Sequence, residues 1–166
     1  MRRVSWRRIA LLLVLPVGLL AAAIFLAPLP RGIAGGTLCL PFIGPRVLID
    51  SALTGRDRIL AIAHEQAHAT QCRQEGFFGN YGRRLTRTGR LRAELVAFCA
   101  EGRSELTLGN RAGNVVARIL DELQEGYPWF RGMSRGELLA RLATTCPDLI
   151  RSSQPPSTAT TSPGPN

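Results

Sequence analysis

The chain of 166 residues has only two histidines, His64 and His68, and Glu65 directly follows the first. Residues four apart share one face of a helix, one turn above the other. No strand brings that pair together on one side at such close range. So placed, the two imidazoles can reach one metal ion. Glu65 then stands beside the ion, where a carboxylate can take a proton from bound water. The plain alternative is two histidines on an ordinary helix face, and a third ligand is what separates the two readings.

A catalytic zinc takes three protein ligands and keeps one position open. With no third histidine, the remaining ligand must be a carboxylate or a cysteine thiolate. Glu94 is the best candidate, in Glu94-Leu95-Val96-Ala97. A second helix that turns back antiparallel to the first would set Glu94 across from the histidines. Ala97 shares nearly the same face, and its small side chain lets the helices approach. Glu101, two turns on, could hold an imidazole N–H instead of binding the ion. Glu101 and Glu105 are the rival ligands.

Around this centre the periodicity predicts an α+β domain, predominantly helical, with a short β element before the motif helix. Leu38–Leu40 and Arg46–Ile49 read as strands. Helices are expected over 57–74, 90–108, 114–124 and 135–143. Thr54 or Asp57 can cap the first, and Ser134 with Glu137 forms a capping box for the last. Ile59, Leu60, Ile62, Ala63 and Ala67 give the motif helix an apolar face, and Gly76, Gly79 and Gly82 mark a loop after it.

Residues 1–30 read as an N-terminal membrane anchor or signal sequence. Four arginines precede an apolar run over 9–27, long enough to span a bilayer. The expected localisation is therefore single-pass in the inner membrane, with the domain in the periplasm or outside the cell. Secretion after signal cleavage is the alternative. Residues 31–36 form a linker, 37–151 the extracytoplasmic domain, and 152–166 a polar disordered tail. The net charge is +9 and every basic residue is arginine. The densest run, Arg83 to Arg92, lacks interleaved aromatics, so it reads as a solvated face and not as a nucleic-acid surface.

His64, Glu65 and His68, followed by Glu94 and Ala97 on a later helix, resemble small gluzincin-type metallopeptidases. Small bacterial members often carry a glutamine where Gln71 stands. The likeness covers Ile62 to Glu101. It implies a zincin-like helix pair and a Zn2+ cofactor held by His64, His68 and Glu94. The implied reaction is peptide-bond hydrolysis by zinc-activated water, with Glu65 as general base. Tyr81 or Tyr127 could donate to the oxyanion, with Tyr81 taken as the candidate. The partners would then be a peptide or protein substrate, and the membrane through residues 9–27. A metzincin is disfavoured, because Ala69-Thr70-Gln71 follows His68. A non-catalytic zinc-binding envelope protein, acting as a binding or assembly module, is the other reading.

Cys39, Cys72, Cys99 and Cys146 allow three disulfide pairings. A Cys72–Cys99 bond would clamp the two ligand helices, and Cys39–Cys146 would then join the ends of the domain. Cys72 could instead be a buried thiol or a metal ligand.

Overall fold

A computed structural model describes residues 33–153. The chain opens with an antiparallel hairpin of β1 (Gly35–Leu40) and β2 (Gly44–Ile49), paired from Gly35 with Ile49 to Leu40 with Gly44. Strand β1 thus begins inside the expected linker. Five helices follow: α1 (Gly55–Arg84), α2 (Arg87–Thr107), α3 (Ala112–Glu125), α4 (Arg135–Thr145) and α5 (Pro147–Ser153). A 3-10 turn, Pro128–Phe130, joins α3 to α4. The domain is mostly helical, with one two-stranded sheet.

Helix α1 departs from expectation beyond Gln74. No loop follows it; Gly76 takes φ 67° and ψ 178°, and the chain resumes as helix to Arg84. Only glycine enters that backbone region without steric cost, so one residue turns the axis where a loop was expected. Thr54 occupies the N-cap without a side-chain bond, whereas Ser134 Oγ accepts from the Glu137 N–H at 3.1 Å as the capping box requires.

The apolar core belongs to the later helices. Leu91, Leu95 and Phe98 of α2 pack with Val115, Ile119 and Leu123 of α3, with Leu138 and Leu142 of α4, and with Phe130. The periodicity of α2 and α3 foretells these faces. The expected apolar face of α1 holds in part, with Leu60, Ile62, Ala63 and Ala67 half-buried. Ile59 is exposed, and the residues α1 buries include Glu65, His68, Gln71 and Asn80. Ala69 and Cys72 are buried among these polar residues.

Both expected disulfides are corrected. Cys39 pairs with Cys72, and Cys99 with Cys146, with Cα–Cα distances of 5.6 and 5.8 Å. Cys99 lies five residues after Glu94. At 100° per residue that turns it roughly 140° away from the ligand face, toward α4 and α5. Cys72 meets β1, which packs along α1. Each bond therefore ties one ligand helix to the rest of the fold, not to the other ligand helix.

The expectation of a single-pass inner-membrane protein is also corrected. Among the described residues no helix is long and apolar enough to cross a membrane. Residues 9–27, which prompted it, lie outside the described residues, as does the tail after 153. Two disulfides suit an oxidising compartment.

Candidate metal centre

Helices α1 and α2 run antiparallel, so positions rising along α1 meet positions falling along α2. Gln71 reaches Ala93, His68 reaches Glu94, and His64 reaches both Glu94 and Glu101. The small, fully buried Ala93 and Ala97 allow this approach. Phe98 packs edge-on against the His64 ring, with centroids 4.9 Å apart.

The Nε2 atoms of His64 and His68 each stand 3.4 Å from the same oxygen of Glu94. The three ligand atoms lie within 4.8 Å of one another. A separation of 3.4 Å is long for an N–H···O hydrogen bond, whose usual range is about 2.7–3.2 Å. It suits a shared ion better. Two ligand atoms each about 2.0–2.1 Å from a tetrahedral zinc stand roughly 3.3 Å apart. Two imidazole nitrogens and one carboxylate are also the donor set of an open zinc site.

The outer hydrogen bonds point the rings the right way. His64 Nδ1 lies 3.0 Å from Glu101 Oε2. His68 Nδ1 lies 3.2 Å from Gln71 Oε1, and the Gln71 amide nitrogen donates to the Ala93 carbonyl at 3.1 Å. With that nitrogen committed, Gln71 presents its oxygen to the ring. In the tautomer that ligation through Nε2 would need, both Nδ1 atoms carry hydrogens toward these oxygen acceptors and both Nε2 lone pairs face Glu94. The Tyr127 hydroxyl donates to the same Glu94 oxygen at 3.0 Å.

In the metal-free protein, burial disfavours charge on His64, but Glu101 and Glu94 outweigh it and raise its pKa to about 9. Burial likewise works against an ionised Glu94, yet His64 and His68 hold its carboxyl far below the usual range. Burial, reinforced by the Glu94 charge, pushes the Tyr127 phenol up.

Glu65 follows His64 and is buried against the hairpin. Thr37 Oγ1 of β1 lies 2.7 Å from Glu65 Oε2 and 2.9 Å from its backbone carbonyl. The other carboxylate oxygen has no hydrogen bond from the described residues. A Cβ on Gly35 would stand 2.8 Å from Glu65 Cγ, so the glycine lets β1 lie against this side chain. A cavity of about 660 Å³ opens here, lined by His64, Glu65, Glu101, Tyr127, Leu60 and Ile33 among others.

Of the residues singled out from sequence, the fold brings His64, His68, Glu94 and Glu101 together, with Glu65 beside them. Tyr81 lines a smaller cavity together with Glu94. It is half-exposed, its ring rests on Phe77 at 4.8 Å, and the tyrosine hydroxyl bonded to Glu94 belongs to Tyr127. The cysteines are all in disulfides, which removes Cys72 as a ligand. Sequence reasoning missed Thr37, because nothing in a strand residue announces which helix carboxylate it will meet. It also missed Arg118, which bridges Glu101 at 2.8 Å and Glu105 at 2.9 Å. Comparison with protein-family models, with curated proteins and with solved structures gives no match for this chain.

Proposed function

We propose that the chain is a zinc-dependent metallopeptidase of zincin-like architecture. The observation that carries this reading is the triangle of His64 Nε2, His68 Nε2 and a Glu94 oxygen, beside a cavity and a separately held Glu65. Zinc bound by His64, His68 and Glu94 would supply Lewis acidity to a water and to a scissile carbonyl.

The remaining chemistry falls to the chain's own side chains. Glu65 takes the water proton and passes it to the leaving amine. Thr37 engages one Glu65 oxygen, and the other takes the proton. Glu101 and Gln71 hold the imidazoles in the tautomer that ligation needs. Tyr127 fixes the Glu94 carboxylate. The cavity gives an extended peptide room beside the hairpin.

Substituting Glu65→Gln tests the reading. The variant should keep stoichiometric zinc and lose at least about a hundredfold in peptide hydrolysis, the scale of a general base. Full activity in Glu65→Gln would remove the mechanism. Zinc binding with no hydrolysis in the unsubstituted chain would favour a non-catalytic zinc protein instead.

A further inference from the structure

The basic run that reads in sequence as a solvated face behaves differently in the fold. Arg83 pairs with Glu75 at 3.0 Å, and Arg87 donates to the Arg131 carbonyl at 3.2 Å. Arg84 and Arg90 instead line a cavity of about 330 Å³ with Glu94, Tyr127, Trp129 and Tyr81. Tyr127 lines both this cavity and the larger one; His64 lines the larger and Glu94 the smaller.

Within the described residues, neither Arg84 nor Arg90 has a carboxylate at ion-pair distance, although Arg103, Arg118, Arg135 and Arg141 all do. Arg90 donates its Nε to the Arg84 carbonyl and stacks its guanidinium over the Trp129 ring, 4.3 Å from the centroid. Its terminal nitrogens have no hydrogen-bond partner among the described residues. Arg84 Nη2 lies 3.2 Å from His68 Nδ1. Arg84 Nε is buried with no hydrogen-bond partner among the described residues. Two guanidiniums with unused donors thus face one aromatic-walled cavity. Trp129 and Leu85 remain exposed at its rim.

A planar fork of N–H donors matches a carboxylate, and desolvation beside aromatic rings strengthens the bond. The large cavity has the opposite character, with Asp57, Glu101, Glu105 and Glu122 outnumbering Arg56 and Arg118. We infer that the Arg84–Arg90 cavity is a subsite for a carboxylate of the peptide substrate, carried either by an acidic side chain or by a free C-terminus next to the scissile bond. The inference rests on the peptidase reading for its substrate, but its test does not need turnover.

Calorimetry on the full-length, metal-free protein separates the possibilities, since without zinc a carboxylate cannot gain affinity by ligating the ion. Three probes serve: acetyl-Ala-Glu-Ala-amide, acetyl-Ala-Gln-Ala-amide, and acetyl-Ala-Gln-Ala with a free C-terminus. One or both carboxylate peptides should bind about tenfold or more tightly than the neutral one, the scale of a charge-assisted bond. Preference for the first identifies a side-chain carboxylate, and preference for the last a C-terminal one. Arg84→Gln combined with Arg90→Gln should abolish the preference, and Arg90→Lys should keep part of it. Equal binding of all three peptides, or none, overturns the inference on the unsubstituted chain alone. So does a preference that survives in the folded double variant. Failure of the peptidase reading would show separately, in the Glu65→Gln assay.

Discussion

His64 Nδ1 lies 3.0 Å from Glu101 Oε2, and the other oxygen of that carboxylate forms an ion pair with Arg118 Nη2 at 2.8 Å. The His64 ring is therefore oriented by a side chain that is itself held by α3. Groups in this position set both the tautomer and the basicity of the ligand. Glu101→Ala should lower zinc affinity by about 10- to 100-fold without unfolding the domain. Competition against a chromophoric chelator measures this. Unchanged affinity would assign the Glu101 contact to packing alone.

Strand β1 should act on hydrolysis through Glu65. A methyl at residue 35 would stand 2.8 Å from Glu65 Cγ and displace it from Thr37. Gly35→Ala is expected to cut hydrolysis at least about tenfold while zinc content stays stoichiometric, because a 1 Å misplacement of a reacting group costs that much or more. Thr37→Val should act in the same direction. Wild-type turnover in both variants would detach the hairpin from the chemistry.

The pH dependence of the metal-free protein has a definite sign. The pKa of His64 is raised from 6.5 to about 9 in the fold, burial opposing the charge and the Glu101 and Glu94 carboxylates prevailing. A raised histidine contributes stability in full below its unfolded pKa, and loses it as pH climbs through about 9. Thermal melts in chelator should therefore show a lower midpoint at pH 9.5 than at pH 6.5. Zinc reverses the trend, since its binding displaces that proton and tightens as pH rises over the same window. A flat metal-free profile would contradict the placement of His64 between two carboxylates.

Each disulfide should matter by an amount set by the chain it closes. The partners are separated by 33 and 47 residues, for which the chain-entropy model gives about 3–4 kcal/mol per bond. Replacing Cys39 and Cys72 by alanine should lower stability on that scale, and should also loosen β1 from α1. Denaturant unfolding with zinc present and absent measures both effects. Peptide mapping that recovered a Cys72–Cys99 peptide would contradict the pairing.

Much of this was legible from residue spacing. His64, Glu65 and His68 require a helix, and Glu94 with Ala97 requires a close neighbour; the fold supplies both. The hairpin and the buried faces of α2 and α3 follow from alternation and from 3.6-residue periodicity. The misreadings share a cause, which is that local pattern does not say what lies across a gap. The apolar residues of α1 suggested a core face, but tertiary contacts turned its polar side inward around Glu65, His68 and Gln71. Gly76 looked like a loop and acts as a kink. Cys72 and Cys99 sit on helices that touch, yet Cys99 points away from the shared face. Tyr127, remote in sequence from both ligand helices, reaches Glu94 only through the turn after α3.

The metal content of the full-length protein, compared with that of Glu94→Ala, tests the centre most directly. One zinc per chain in the unsubstituted protein, falling to a small fraction in Glu94→Ala, is the expected result. The absence of stoichiometric zinc, or zinc unaffected by loss of Glu94, would contradict the assignment of His64, His68 and Glu94 as the site.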